Sequence, residues 1–494
     1  VLKTRKTAIF IVAYNAARHL EPLMERIPQS MMGHFAEIFI IDDSSSDTTF
    51  DVADRIIKKY SKYNITAYRT PFNRGYGGNQ KLGYLYCLEK GHDIVVLLHG
   101  DGQYAPEFLS RVLAPFCENV DAVFASRMLH KKQALEGGMP LYKWMGNQIL
   151  TNFENRLLKA NLSEFHTGFR AYSVEALKRI PFAFNSDDFH FDTEIIIQAL
   201  ATRWTIQEVP IPAFYGDEVC HVNGFKYAFN CIRSVVSYKL VNLGIYYRRN
   251  FDFGLFESDN YVFKKSPYSL HQFVIRTAGF HPGMISIELG ANRGILSQHI
   301  AENVSQHVAV DQIEPDLAGK SEILALDLNG PFAAQVPRRY YELCISLDVI
   351  EHLNEPEHFL LEVFGLLKTK GKLFVSTANV CYLPMRLSML MGQFNYGKRG
   401  ILDRTHKRLF SVSSFQKLIA QYGFKIDIVK GFPPPLTDLI SNSLVMRWIE
   451  RFHAFLSHHF PNLFAYNFLI IATRMDGIED ILKQTTATMK AAGS

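Results

Sequence analysis

The sequence predicts an α/β protein of two tandem domains, each a mostly parallel sheet covered on both faces. Three observations carry that prediction. Short runs that are apolar throughout alternate with amphipathic helical stretches, which is the pattern of buried parallel strands. Several of these runs stop at an acidic or glycine-rich turn, where open α/β sheets bind their ligands. The series occurs twice, and at 494 residues the chain is too long for one typical domain.

In the first series, residues 8–13 read as a strand, 18–27 as a helix and 37–41 as a second strand ending in Asp42 and Asp43. Ser44 to Thr49 offer capping side chains before a helix over 50–59. A strand near 65–68 leads into Asn73-Arg-Gly-Tyr-Gly-Gly-Asn-Gln-Lys81, whose glycines, Gly75 among them, permit close backbone approach to a ligand. Residues 94–98 form a fully apolar strand, and His99-Gly100-Asp101-Gly102-Gln103 leaves its carboxyl end. A carboxylate held between two glycines there suits a divalent cation bridging a diphosphate, since hard cations take oxygen ligands. A helix over 139–158, a strand over 205–211 and an amphipathic helix over 226–249 follow. That last helix suits either packing between domains or a membrane surface.

The second series opens after a boundary segment, 250–282, that contains a short helix over 270–278. Residues 284–289 are a strand, Gly290-Ala-Asn-Arg-Gly294 a glycine turn, 296–303 a helix, and 307–311 a strand ending in Asp311. A third strand ends at Asp327, a fourth runs from Leu343 into the turn Asp348-Val-Ile-Glu-His352, and a helix over 359–367 precedes a fifth at 371–379. Residues 466–473 give a closing strand, and the tail 477–494 is uninformative. The expected organisation is therefore 1–249, a linker to 282, 283–476, and the tail.

Composition narrows the function. With 48% hydrophobic and 20% charged residues the chain is globular, and its net charge of +5 is spread out. That speaks against sequence-specific nucleic-acid binding and agrees weakly with an anionic substrate or a membrane surface. The six cysteines fall singly, which points to buried thiols in a reducing compartment rather than to a disulfide framework or zinc site. The basic start followed by 8–13 reads as a first strand rather than a signal peptide. No run of about 18 apolar residues crosses a membrane. A cytoplasmic protein, at most peripheral to the inner face of the membrane, is expected.

The ordered set Val12-Ala-Tyr-Asn15, Ile41-Asp-Asp-Ser-Ser-Ser-Asp47, Asn73-Arg-Gly-Tyr-Gly-Gly-Asn79, Gly100-Asp-Gly-Gln103 and Ala125-Ser-Arg127 resembles the family-2 inverting glycosyltransferases of GT-A fold. The resemblance covers about the first half of the chain. It implies a UDP- or GDP-linked sugar donor bound by Ala13, Tyr14, Asn15, Asp42, Asp43, Asn73, Gly75, Gly100, Asp101, Arg127 and Arg170. It also implies Mg²⁺ or Mn²⁺ held by Asp101 with His99 and Gln103. The family's metal motif is usually Asp-x-Asp, and His99 stands at its first acidic position; imidazole favours Mn²⁺ over Mg²⁺. Gln103 follows as in relatives with polyprenyl-phosphate acceptors. Phe165-His-Thr-Gly-Phe-Arg170 and the acidic helix start with Asp192 and Glu194 resemble the acceptor side. A sugar hydroxyl needs a general base, for which Asp192 and Glu194 are the candidates, whereas an acceptor phosphate is already ionised and needs positive charge. Asp217 and His221 resemble part of a loop closing the site.

The second series, above all Asp348-Val-Ile-Glu-His-Leu353, looks like class I S-adenosylmethionine-dependent methyltransferases. The resemblance implies Glu288, Gly290, Ala291, Asn292 and Gly294 around the methionine end, Asp311 on the ribose, Asp327 near the adenine, and Asp348 and Val349 lining the pocket. Asn292 replaces the middle glycine of Gly-x-Gly-x-Gly. Methyl transfer to oxygen needs a base, and His352 and His406 are the candidates. The expectation is thus a bifunctional enzyme that transfers a sugar to a glycan or lipid-linked acceptor and O-methylates a sugar of the product. The alternatives are a polyprenyl-phosphate acceptor, or one half serving only as a binding module.

Overall fold

The structure is a computed structural model that describes residues 5–212, 223–244, 246–252, 264, 266–312, 321–337, 340–439 and 442–476. Asp217 and His221 lie outside the described residues. The chain divides into two compact units: Val1–Tyr238 with Arg248–Leu255, and Lys239–Tyr247 with Phe256–Ser494.

In the N-terminal unit, β1 (Thr7–Ala13), β2 (Glu37–Asp42), β3 (Ile65–Arg69), β4 (Ile94–His99), β5 (Ala122–Ser126), β6 (Arg170–Ser173) and β7 (Ile206–Pro210) form one seven-stranded sheet. Its order is β3-β2-β1-β4-β6-β5-β7. β1, β2, β3 and β4 pair in parallel, as do β5 and β7, while β6 runs antiparallel between β4 and β5. The apolar runs form strands because both faces are covered: Ile9, Ile11, Ile38, Ile40, Val96 and Leu98 pack in one core, and each buried side chain contributes roughly 1.5–3 kcal/mol. Strand order reverses at β1, so the carboxyl ends of β1 and β4 open a crevice between them. The Gly100 N–H donates to Val12 O at 2.8 Å and joins those two ends.

Most elements follow the sequence pattern, with ends displaced by local chemistry. The expected helix at 139 begins at Leu141, after Pro140, and the amphipathic helix runs Gly224–Asn242. In this unit, β5 and β6 are the strands not anticipated as such, and β13 of the C-terminal unit (Phe424–Phe432) is another. β6 has only four residues and buries a charged one, Arg170, so its composition carries no strand signal.

In the C-terminal unit, β8 (Ile285–Leu289), β9 (Gln306–Asp311), β10 (Ser321–Ala325), β11 (Tyr341–Ser346), β12 (Leu367–Ala378), β13 (Phe424–Phe432) and β14 (Asn467–Arg474) form a second seven-stranded sheet. Its order is β10-β9-β8-β11-β12-β14-β13. The first five strands are parallel, and β14 pairs antiparallel with β12 and β13. The reversal here falls between β8 and β11, which places the glycine turn after β8 opposite the turn after β11.

Candidate functional sites

Four strand ends build the first site. Asn15 adopts a left-handed backbone (φ 49°) and its side chain accepts from the Ser46 N–H at 3.0 Å, while its own N–H donates to Ser45 Oγ at 2.8 Å. The turns after β1 and β2 are therefore laced together, with Tyr14 exposed beside them. Asp42 is fully buried; Ser45 donates to Oδ1, and Oδ2 lies 3.4 Å from the Arg69 guanidinium. Asp43 accepts from Thr70 Oγ1 and the Arg74 N–H, and burial raises its pKa. Asp101 is partly exposed, with Oδ1 accepting from the Gln103 N–H at 3.0 Å.

His99 lies against the rings of Tyr76 and Tyr104, with its Nε2 2.9 Å from Tyr76 Oη. Tyr76 has one proton and gives it to Asp192 Oδ2 at 3.0 Å, so His99 Nε2–H is the donor to Tyr76. Burial lowers the His99 pKa, keeping the imidazole neutral with its lone pair on Nδ1. A Cβ on Gly168 would stand 2.2 Å from His99 Nε2, so only glycine leaves room for the ring. Gly168→Ala is expected to displace the imidazole and lower the activity of this site at least about tenfold while circular dichroism stays unchanged. Full activity in that variant would remove His99 from the site.

Other expected site residues are placed differently. The Asn73–Lys81 glycines approach the chain's own backbone rather than open space for a phosphate. A Cβ on Gly75 would meet Asp187 O at 2.6 Å, and one on Gly77 would meet Ser186 O at 2.3 Å. The N–H groups of Gly77 and Gly78 donate to Asp187 O. Asn73 Oδ1 accepts from the Gly75 N–H and shapes the same turn. Arg170 is fully buried, donates to the carbonyls of Thr167 and Phe165 and pairs with Asp192 at 3.4 Å, so it is not placed to clamp a diphosphate. Asp192 accepts from Tyr76, Gln80 and Arg170, and Glu194, with no exposed surface, from Ser186 N–H, Ser234 and Arg248. Both candidate bases are thus committed to donors within the fold. Arg127 pairs with the buried Glu164 at 3.0 Å and stacks over Tyr104.

Tyr76, Gln80, Tyr104 and Glu164 were not singled out from the sequence; Tyr76 and Gln80 stand inside the quoted Asn73–Lys81 stretch, but an uncharged side chain carries no chemical signature by itself. The buried Glu154 and Cys231 and the partly buried His166 also converge, with ligand atoms within 4.8 Å of one another. Burial pushes Glu154 up to about 8 and His166 down to about 3, so a neutral carboxyl faces a neutral imidazole at 3.3 Å.

The second site is built on β8, β9 and β11. Gly290 needs its positive φ of 86°, and a Cβ there would stand 2.2 Å from Val349 Cγ2, so the two turns touch. Ala291 lies beneath this turn, buried. Asn292 has φ 50° and donates its N–H to Asp311 Oδ2 at 2.7 Å. Asparagine tolerates the left-handed region better than other side chains, so the middle-glycine position keeps its backbone shape. Gly294 caps the helix Ile295–Ala301. Glu288 accepts from Ser297 and lies 3.8 Å from His307. Asp327 is exposed and accepts from Asn329 and Gln312, and these bonds lower its pKa. Asp348 (φ 55°) is anchored by Ser376, which donates to its Oδ1 at 2.7 Å. Beside it, His352 and His406 stack edge to face with ring centroids 4.7 Å apart.

Both halves match known families. Residues 8–181 match the model for glycosyl transferase family 2, and residues 263–428 a methyltransferase domain model. A protein of Methanocaldococcus jannaschii is 30% identical over 238 residues, which cover 46% of this chain and 92% of that one. The chain belongs to glycosyltransferase family 2 and carries a fused methyltransferase domain. This family 2 member also resembles the UDP-N-acetylglucosamine–dolichyl-phosphate N-acetylglucosaminyltransferase of Methanococcus voltae, at 27% identity over 42% of this chain and 85% of the relative. The polyprenol monophosphomannose synthase of Mycolicibacterium smegmatis is 26% identical over 43% of this chain and 78% of its own. These three likenesses account for under half of the chain each, consistent with a glycosyltransferase-like unit joined to a second one.

Proposed function

We propose that the N-terminal unit transfers a sugar, with inversion, from a UDP- or GDP-linked donor to a lipid-linked phosphate acceptor, and that the C-terminal unit O-methylates a sugar of the product. The observation that carries the acceptor assignment is the commitment of Asp192 and Glu194 to internal donors. A sugar hydroxyl would need one of them as a base, whereas a polyprenyl phosphate attacks as the anion it already is. The names of the relatives, which act on dolichyl phosphate and make polyprenol monophosphomannose, support the same choice.

In this reading Tyr14 and Asn15 hold the nucleoside at the end of β1, and the buried Asp42 ties down the adjoining turn through Ser45. Asp101 and the His99 Nδ1 lone pair would hold a divalent cation, whose donor set suits Mn²⁺ and whose remaining ligands are diphosphate oxygens. A cation there supplies charge to the leaving diphosphate. Tyr76 and Asp192 fix the imidazole so that Nδ1 faces outward from their hydrogen-bond chain. In the C-terminal unit, the Gly290 turn and Asp311 form a cradle that fits S-adenosylmethionine, which brings the methyl group on a sulfonium. Asp311 accepts from the ribose and Asp348, held by Ser376, shapes the opposite wall.

Apolar side chains exposed on the helix Gly224–Asn242 support work at a membrane surface. Phe225, Phe229, Ile232 and Val236 share one face at i, i+4, i+7 and i+11, interleaved with Lys226 and Arg233. No described helix is long and apolar enough to cross a membrane. The test is an acceptor comparison: purified protein, nucleotide sugar and Mn²⁺ are supplied with polyprenyl phosphate in vesicles or with a free oligosaccharide. Transfer to the lipid phosphate is expected; transfer to the oligosaccharide alone overturns the assignment.

A further inference from the structure

We propose that Glu351, His352 and His406 form a binding site for a divalent transition-metal cation beside the methyl-donor turn, with open positions that take the acceptor hydroxyl. The acceptor part rests on the methyltransferase reading above; the metal part stands without it.

One ligand atom from each of the three side chains lies within 4.8 Å of the others. Glu351 is 2% exposed, and its Oε2 has no hydrogen-bond partner. A carboxylate oxygen so buried is costly unless a proton or cation meets it. The His406 imidazole is oriented as metal ligands usually are, giving one ring N–H to a backbone carbonyl. His406 Nδ1 is 2.9 Å from Ile401 O, which only accepts, so Nδ1 carries the proton and Nε2 the lone pair. The His352 ring stands edge to face against the His406 ring, with centroids 4.7 Å apart. A His406 lone pair, a His352 ring nitrogen and a Glu351 oxygen therefore converge, and burial pushes the Glu351 carboxyl up to about 8. A single proton can bridge two of the three; a cation satisfies all three at once.

The position follows from the fold. Glu351 sits three residues beyond Asp348 in the turn after β11, and the Ala378 N–H at the end of β12 points to its Oε1 at 3.4 Å. The N–H groups of Lys407 and Arg408 donate to Glu351 O at 2.8 and 3.1 Å, which ties the His406 loop to the turn. Two imidazoles and one carboxylate suit Mn²⁺, Co²⁺ or Zn²⁺ better than Mg²⁺ and leave coordination positions open. A sugar hydroxyl bound there loses its proton to water more readily. Its oxygen lone pair forms the O–C bond while the S–C bond breaks and leaves its electron pair on sulfur. His352 and His406 then act as ligands rather than as bases.

The test uses the full chain with Asp101→Ala, so that the glycosyltransferase site is silent, stripped by chelator and titrated with Co²⁺ alone. Visible absorption of histidine-bound cobalt should saturate at one ion per chain. His406→Gln and Glu351→Gln should each weaken binding at least about tenfold. Calorimetry with S-adenosylmethionine on the same proteins reports the fold and the methyltransferase reading separately. A parent that takes up cobalt but not S-adenosylmethionine refutes that reading and keeps the metal site. Absence of the cobalt spectrum in the parent, or unchanged affinity in His406→Gln, overturns the proposal.

Discussion

Asp101→Ala is expected to reduce sugar transfer by about a thousand-fold or more, with the methyl-donor affinity of the other unit unchanged. The magnitude follows from the several kcal/mol that charge neutralisation contributes to a departing diphosphate, since about 4 kcal/mol corresponds to three powers of ten. Stability should change little, because the described contact of Asp101 is one N–H from Gln103 at a partly exposed turn. The same substitution at Asp192 would unfold part of the site instead, by leaving Arg170 buried without its carboxylate. Comparing the two separates chemistry from support: both lose activity, but only the Asp192 variant loses several degrees of thermal midpoint. Transfer within threefold of the parent in Asp101→Ala would remove this residue from the reaction.

The second large effect concerns the methyl donor. Asp311→Ala is expected to weaken S-adenosylmethionine binding by about ten- to a hundred-fold, the loss of one or two hydrogen bonds to a charged acceptor. Asp311 also accepts from the Asn292 N–H, so its removal frees the glycine turn as well as the ribose contact. Asp327→Ala is the informative comparison, because that carboxylate is exposed and already holds Asn329 and Gln312. Calorimetry should rank Asp311→Ala well below Asp327→Ala in affinity. The opposite order would move the ribose site off β9.

The legible parts of the molecule are those in which sequence pattern and burial say the same thing. β1, β2, β4, β8 and β9 are mostly apolar and are closed or followed by Asn15, Asp42, Asp101, Gly290 and Asp311, so both the strands and the turns at their carboxyl ends could be read directly. Asn292 looked like a departure from the glycine pattern, and its φ of 50° shows the backbone shape preserved. What stayed hidden depends on contacts distant in sequence. The Asn73–Lys81 glycines read as a ligand loop, yet the backbone they approach is that of Ser186 to Asp188, more than a hundred residues on. Arg170 and Glu194 read as free charges at a site; their burial against Asp192 and Arg248 depends on how β6 and the helix Phe191–Ala201 pack. The link of His99 to Asp192 runs through Tyr76, an uncharged residue with no motif chemistry of its own.

The central claim is that one chain first adds a sugar and then methylates the product. Mass spectrometry of lipid-linked glycans from cells expressing the parent, Asp101→Ala or Asp311→Ala tests it most directly. The account predicts a methylated glycosyl lipid from the parent, the same lipid without its methyl group from Asp311→Ala, and neither sugar nor methyl from Asp101→Ala. Methylation that persists in the absence of the added sugar, or identical masses from all three, would contradict it.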